Sequence, residues 1–78
     1  MGCMSPEQSR AARGWLRWSQ QDLAKMAKVG LSTIKSFENG DRTPISNNFE
    51  AIRRALAGAG VEFLDGADGR PEGIKVKP

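Results

Sequence analysis

The sequence predicts a mostly α fold: four short helices followed by a C-terminal β-hairpin. Three observations lead there. Apolar residues recur at helical spacing in separate segments between Ser5 and Leu56. Helix-start residues (Ser5-Pro6, Ser19) and helix-stop residues (Asn39-Gly40, Gly58, Gly60) bracket those segments. Beyond Gly60 the pattern changes, with Val61-Glu62-Phe63-Leu64 reading as a strand and residues 73–77 alternating apolar and polar at period two.

Residues 1–4 read as a loose terminus. Met1-Gly2-Cys3 faintly resembles a lipidation start, but Pro6 stands where that pattern wants Ser or Thr. Ser5-Pro6-Glu7-Gln8 is a helix start, with Ser as N-cap, Pro at the first helical position and Gln closing a capping box. The first helix runs to about Trp15 or Leu16, with Ala12 and Leu16 inward and Arg10 outward. Trp15 and Trp18 are expected in the core or at its rim.

Residues 19–38 hold two helices of about two turns each, too short to stand alone in water. Ser19 and Asp22 form a capping box, and Leu23, Ala24 and Ala27 make an apolar stripe. Lys28-Val29-Gly30 breaks the helix, and Ile34 and Phe37 form the inward side of the next one. Val29 suits the angle between crossed helices, and Ala24 is small where their backbones approach. Leu31, Ser32, Lys35 and Ser36 are then left on an outer face. One apolar residue, two hydroxyls and a cation suit entry into the DNA major groove.

Over these residues the chain resembles the XRE family of Cro and the phage repressors. The resemblance runs through Trp18-Ser19-Gln20-Gln21-Asp22-Leu23-Ala24, Val29, Ser32-Thr33-Ile34, Phe37-Glu38-Asn39-Gly40 and Arg42-Thr43-Pro44. It covers roughly Ser5–Leu56 and implies a four-helix, lambda-repressor-like helix-turn-helix domain, taken as residues 1–60; residues 61–78 follow as the hairpin, a candidate dimerisation element because its charge balances and its strands offer an unpaired edge. It also implies that Arg13 pairs with Glu38, although a snorkelling surface arginine is the usual reading there. Two departures are visible: Lys28 stands where the family usually has Gly in the turn, and Gly30 where it has a Ser or Thr N-cap.

Asp41-Arg42-Thr43-Pro44 reads as a connecting loop. The last helix opens at Ile45-Ser46 with Ser46 as its N-cap. Phe49, Ile52 and Leu56 form its buried stripe, helped by Ala55, while Arg53 and Arg54 are expected in solvent. Residues 65–72, rich in Gly, Asp and Pro, form the turn of the hairpin. A lone hairpin is marginal in water, so this one should lean on the helices or on a partner's edge.

Composition narrows the function. The 78 residues make one domain with a small core. The net charge is +3, and the excess lies in residues 1–64, which hold nine Lys/Arg against six Asp/Glu. That mildly favours an anionic partner. Cys3 is the only cysteine and there is no histidine, so an internal disulfide, a zinc site and His-based acid–base catalysis are excluded. No apolar run is long enough for a signal peptide or membrane helix, so a cytoplasmic, bacterial or phage protein with no membrane partner is expected. Nothing supports an enzyme, a cofactor or a metal: there is no nucleophile with a base at a useful spacing and no phosphate-cradling glycine loop.

The expected partner is double-stranded DNA. Phosphate contacts are assigned to Gln20 and Gln21 at the start of the second helix, to Thr33 beside the sugar-phosphate wall, and to Asn39, Arg42 and Thr43 after the third. Arg42 reads equally as a solvated loop residue. Base contacts are assigned to Leu31 against a thymine methyl, to Ser32 and Ser36, and to Lys35 on a guanine edge or a phosphate. The leading function is a transcriptional regulator, a repressor acting as a homodimer on an inverted-repeat operator. The alternative is an antitoxin that binds its own operator and grips a toxin.

Overall fold

The computed structural model describes residues 4–68 and 71–76. Cys3, the remainder of the expected loose terminus before it, and Lys77 of the expected second strand lie outside them. Four helices, α1 (Pro6–Leu16), α2 (Gln20–Ala27), α3 (Leu31–Glu38) and α4 (Ser46–Gly58), precede an antiparallel hairpin of β1 (Val61–Asp65) and β2 (Pro71–Val76). No helix among the described residues is long and apolar enough to cross a membrane.

The helix starts follow local chemistry. Ser5 and Ser19 each accept a hydrogen bond from the third backbone N–H of their helix, and Gln8 and Asp22 return the bond to the cap's own N–H. Each satisfies two donors that a helix start otherwise leaves open. Gly30 begins α3 with no side-chain cap. Ser46 is not the cap of α4: the Phe49 N–H bonds the Ile45 carbonyl at 2.9 Å, which makes Ile45 the capping residue and Ser46 the first residue of the helix.

Three helix ends share one device. Arg17, Lys28 and Gly40 adopt left-handed backbone conformations (φ of 60°, 58° and 79°). The next residue's N–H reaches back five residues in each case: Trp18 to Arg13, Val29 to Ala24 and Asp41 to Ser36, at 2.9 to 3.0 Å. This wrapped end satisfies orphan carbonyls and turns the chain sharply. After α1 and α2 the wrapping residue is apolar, and Trp18 and Val29 pack against the core.

Leu23, Ile34, Ile52 and Leu56 are fully buried at the centre, one or two from each of α2, α3 and α4. Phe37 and Phe49 meet edge to face with centroids 5.7 Å apart. Met4, expected in a loose terminus, is buried and shares a cavity wall with these two rings. Trp15 is 65% exposed, contrary to expectation.

The hairpin leans on the helices. Val61 faces Val76 and Phe63 faces Ile74 across the strands, and Val61 is buried in the core. The Gln8 amide donates to the carbonyls of Leu64 (3.1 Å) and Gly73 (2.7 Å), stitching α1 to both strands. β2 begins at Pro71, so Pro71 and Glu72 belong to the strand and not to the turn; an irregularity between Leu64 and Asp65 lets Asp65 pair with Pro71. Arg53 is not in free solvent: its guanidinium lies over the Phe63 ring, 5.1 Å from the centroid. Arg54 is exposed.

Candidate nucleic-acid interface

The orientation of α3 rests on one buried carboxylate. Glu38, in the last turn of α3, receives the Ser9 hydroxyl at 2.6 Å, Arg13 through Nη2 at 2.6 Å and Nε at 2.9 Å, and the Gln20 amide at 3.2 Å. Arg10 donates to the backbone carbonyl of the same residue. α1 therefore grips the C-terminal end of α3, and Gln20 joins α2 to the same point. Burial pushes the Glu38 carboxyl upward, but the bonds from Arg13, Ser9 and Gln20 and the charge of Arg13 outweigh it and hold it below its ordinary value. The bond to Glu38 raises Arg13, against a smaller lowering by its own burial. The sequence reading placed Arg13 with Glu38; it did not find Ser9, a serine of ordinary appearance in the middle of α1.

With its base held this way, α3 leaves Ser32 and Lys35 exposed, with Thr33 and Ser36 half-buried beside them. Leu31 departs from expectation. It is half-buried and packs against the core, on a helix that lies against α1 and α2. The exposed apolar residue on this side is instead Ile45, 70% exposed.

A cavity of about 270 Å³ lies between α3 and the loop to α4, lined by Ser32, Thr33, Ser36, Arg42, Thr43, Pro44, Ile45 and Asn48. It gathers three hydroxyls of α3 with four residues of the loop, Arg42 to Ile45. The loop is positioned by backbone bonds: the N–H groups of Asp41 and Arg42 both reach the Ser36 carbonyl, at 2.9 and 3.4 Å. Asn48 and Ile45 complete the wall and were not singled out from the sequence. Asn48 carried a signal, an amide in the first turn of a helix after the loop that holds Arg42.

The other assigned residues stand apart from that cavity. Gln21 is exposed at the start of α2, where the first N–H groups of a helix point outward. Gln20 beside it is half-buried and turned to Glu38. Asn39 is exposed at the end of α3. The described surface thus presents a helix with small polar side chains and Lys35, flanked by a helix start on one side and a loop carrying Arg42 on the other. Such a surface suits a polyanion with readable edges, the helix in a groove and its flanks on the backbone. A family model described as helix-turn-helix matches residues 10–59, from the middle of α1 to the end of α4. No curated protein matches the chain.

Proposed function

The chain belongs to the HTH_3 family of helix-turn-helix proteins, DNA-binding regulators of transcription, and from that membership we propose a repressor that binds an inverted-repeat operator as a homodimer. One observation carries the reading. The outward face of α3 and the Arg42–Thr43 corner form a single concave surface, with no apolar side chain of α3 lining it. Ser32, Ser36 and Lys35 read base edges, and Thr33 meets the sugar-phosphate wall. Gln21 and the backbone N–H groups at the start of α2 hold a phosphate, with Gln20 fixing that start to Glu38. Asn39, Arg42 and Thr43 hold the phosphates on the far side. Leu31 contributes the edge of its side chain, its body being committed to the core.

Serine hydroxyls both donate and accept, so each alone discriminates bases weakly. Lys35 is the sharper reader. The test is a fluorescence-anisotropy titration of labelled duplexes at several salt concentrations. Arg42→Ala should weaken all sequences alike and reduce the slope of log affinity against log salt by about 1. Lys35→Ala should cost about 1–3 kcal/mol on the preferred sequence and little on others. Affinity indifferent to both substitutions would leave α3 without a role in binding.

A further inference from the structure

Ile45 serves the fold poorly where it stands. It is the capping residue of α4: its carbonyl accepts the first helical bond, and no side chain caps that helix. Isoleucine is among the least favourable residues at a cap, where Ser, Thr, Asp or Asn has an oxygen to offer a free N–H. Its side chain gains nothing from burial either. Ile45 is 70% exposed, the most exposed large apolar residue among those described. A single exposed isoleucine is ordinary on a protein surface. One that breaks the capping rule and the burial rule together points to a use outside the fold.

Its surroundings supply that use. Ile45 lines the cavity between α3 and the loop, together with Ser32, Thr33 and Ser36 of α3. Among the described residues it is the one exposed apolar residue of that lining, since Pro44 is half-buried and Leu31 is packed against the core. We infer that Ile45 reads a thymine methyl on the DNA strand that this cavity receives, and so determines specificity from the loop. The C5-methyl of thymine is the apolar mark in the major groove, and it is matched by apolar contact. Serine hydroxyls bond donors and acceptors alike and cannot select for it. Arg42 and Thr43 carry the donors that suit the phosphates of the strand, whereas an isoleucine side chain has none and adds nothing to binding that ignores sequence.

The inference rests on the DNA reading above and adds the base that the loop selects. The test takes the full chain and the duplex that it selects from random DNA. Single thymines of that duplex are then replaced by uracil, which differs only in lacking the methyl. For the wild type, one such replacement in each half-site should lower affinity about fourfold, the worth of one buried carbon group. Ile45→Ser should bind the thymine duplex as weakly as the wild type binds the uracil one, and should not distinguish the two. The same variant should melt higher than the wild type, because serine provides the missing cap, so its lost preference is not a lost fold. Ile45→Val should keep the preference. A selected motif with no methyl-sensitive thymine, or with one that Ile45→Ser still distinguishes, would overturn the inference and leave the DNA reading standing. A wild type that selects no duplex at all would overturn both.

Discussion

A carboxylate whose side chain is 1% exposed needs donors on every side, and Glu38 has them from Ser9, Arg13 and Gln20. Removing Arg13 strands the more deeply buried partner, since Arg13 itself is 17% exposed. Arg13→Ala should therefore cost about 3 kcal/mol and Glu38→Ala less, with the double mutant losing less than their sum. Thermal melting of the four proteins checks this, and strict additivity would contradict it. The depressed Glu38 value also sets a pH dependence. A carboxylate held below its unfolded value stabilises the fold above that value, about 4.3, and the stabilisation is lost as pH falls through the folded value. Acid unfolding should thus weaken in steepness below pH ~4.3 in Arg13→Ala, where the main opposing donor is gone. Lys28 gives a second case. It adopts a left-handed conformation in which a Cβ costs about 1 kcal/mol, while glycine's unfolded-state entropy opposes the gain. Lys28→Gly should leave the melting temperature equal or slightly higher, and a clear fall would show that the lysine side chain contributes packing there. Lys28 was legible because the break in periodicity and the family pattern both fall on it. Arg17 holds the same conformation and was not legible, since arginine carries no signal for it.

At the scale of elements, the helix ends were mostly readable because capping is local. Ser5–Gln8 and Ser19–Asp22 specify their helices within four residues, without reference to the rest of the chain. Ser46 misled for the same local reason: it is a good cap by type, but the first helical bond is accepted one residue earlier, at Ile45. The bare start of α3 offers a direct test. Gly30 has φ −69° and ψ 147°, a conformation open to any residue, and a Cβ there would meet only the Ser32 and Thr33 hydroxyls at 3.8 and 3.9 Å. Gly30→Ser should add a cap bond to the third N–H of α3 and restrict the unfolded chain, for a gain of about 0.5–1 kcal/mol. Chemical denaturation measures it, with a raised midpoint and an unchanged slope expected. An unchanged midpoint would mean that the Thr33 N–H is already satisfied as well by the Gly30 carbonyl, 3.1 Å away.

At the scale of the whole molecule, what the sequence left unread is what depends on which elements meet. Met4 is buried because α1 brings it beside Phe37 and Phe49, Trp15 is left exposed, and Arg53 is covered because Phe63 returns over α4. No residue pattern within one segment carries those facts. The same contacts change the expectation for the hairpin. Ending the chain after Gly60 removes buried Val61 and both acceptors of the buried Gln8 amide. That truncation should lower the melting temperature markedly, by the equivalent of about 3 kcal/mol or more, besides weakening any dimer. A truncated chain that melts like the whole one would mean that the hairpin serves association alone. A dimeric reader of duplex DNA works as two copies. A single recognition helix reads only a few base pairs, and two in successive major grooves lie about 34 Å apart on one face of the duplex. The most direct measurement is selection of bound sequences from random duplex DNA by the wild type, Ser32→Ala and Ser36→Ala. The expected result is an inverted repeat with half-site centres about 10–10.5 bp apart, in which each serine substitution relaxes the same position of both half-sites. Recovery of no symmetric motif, with identical sequences selected by all three proteins, would contradict it.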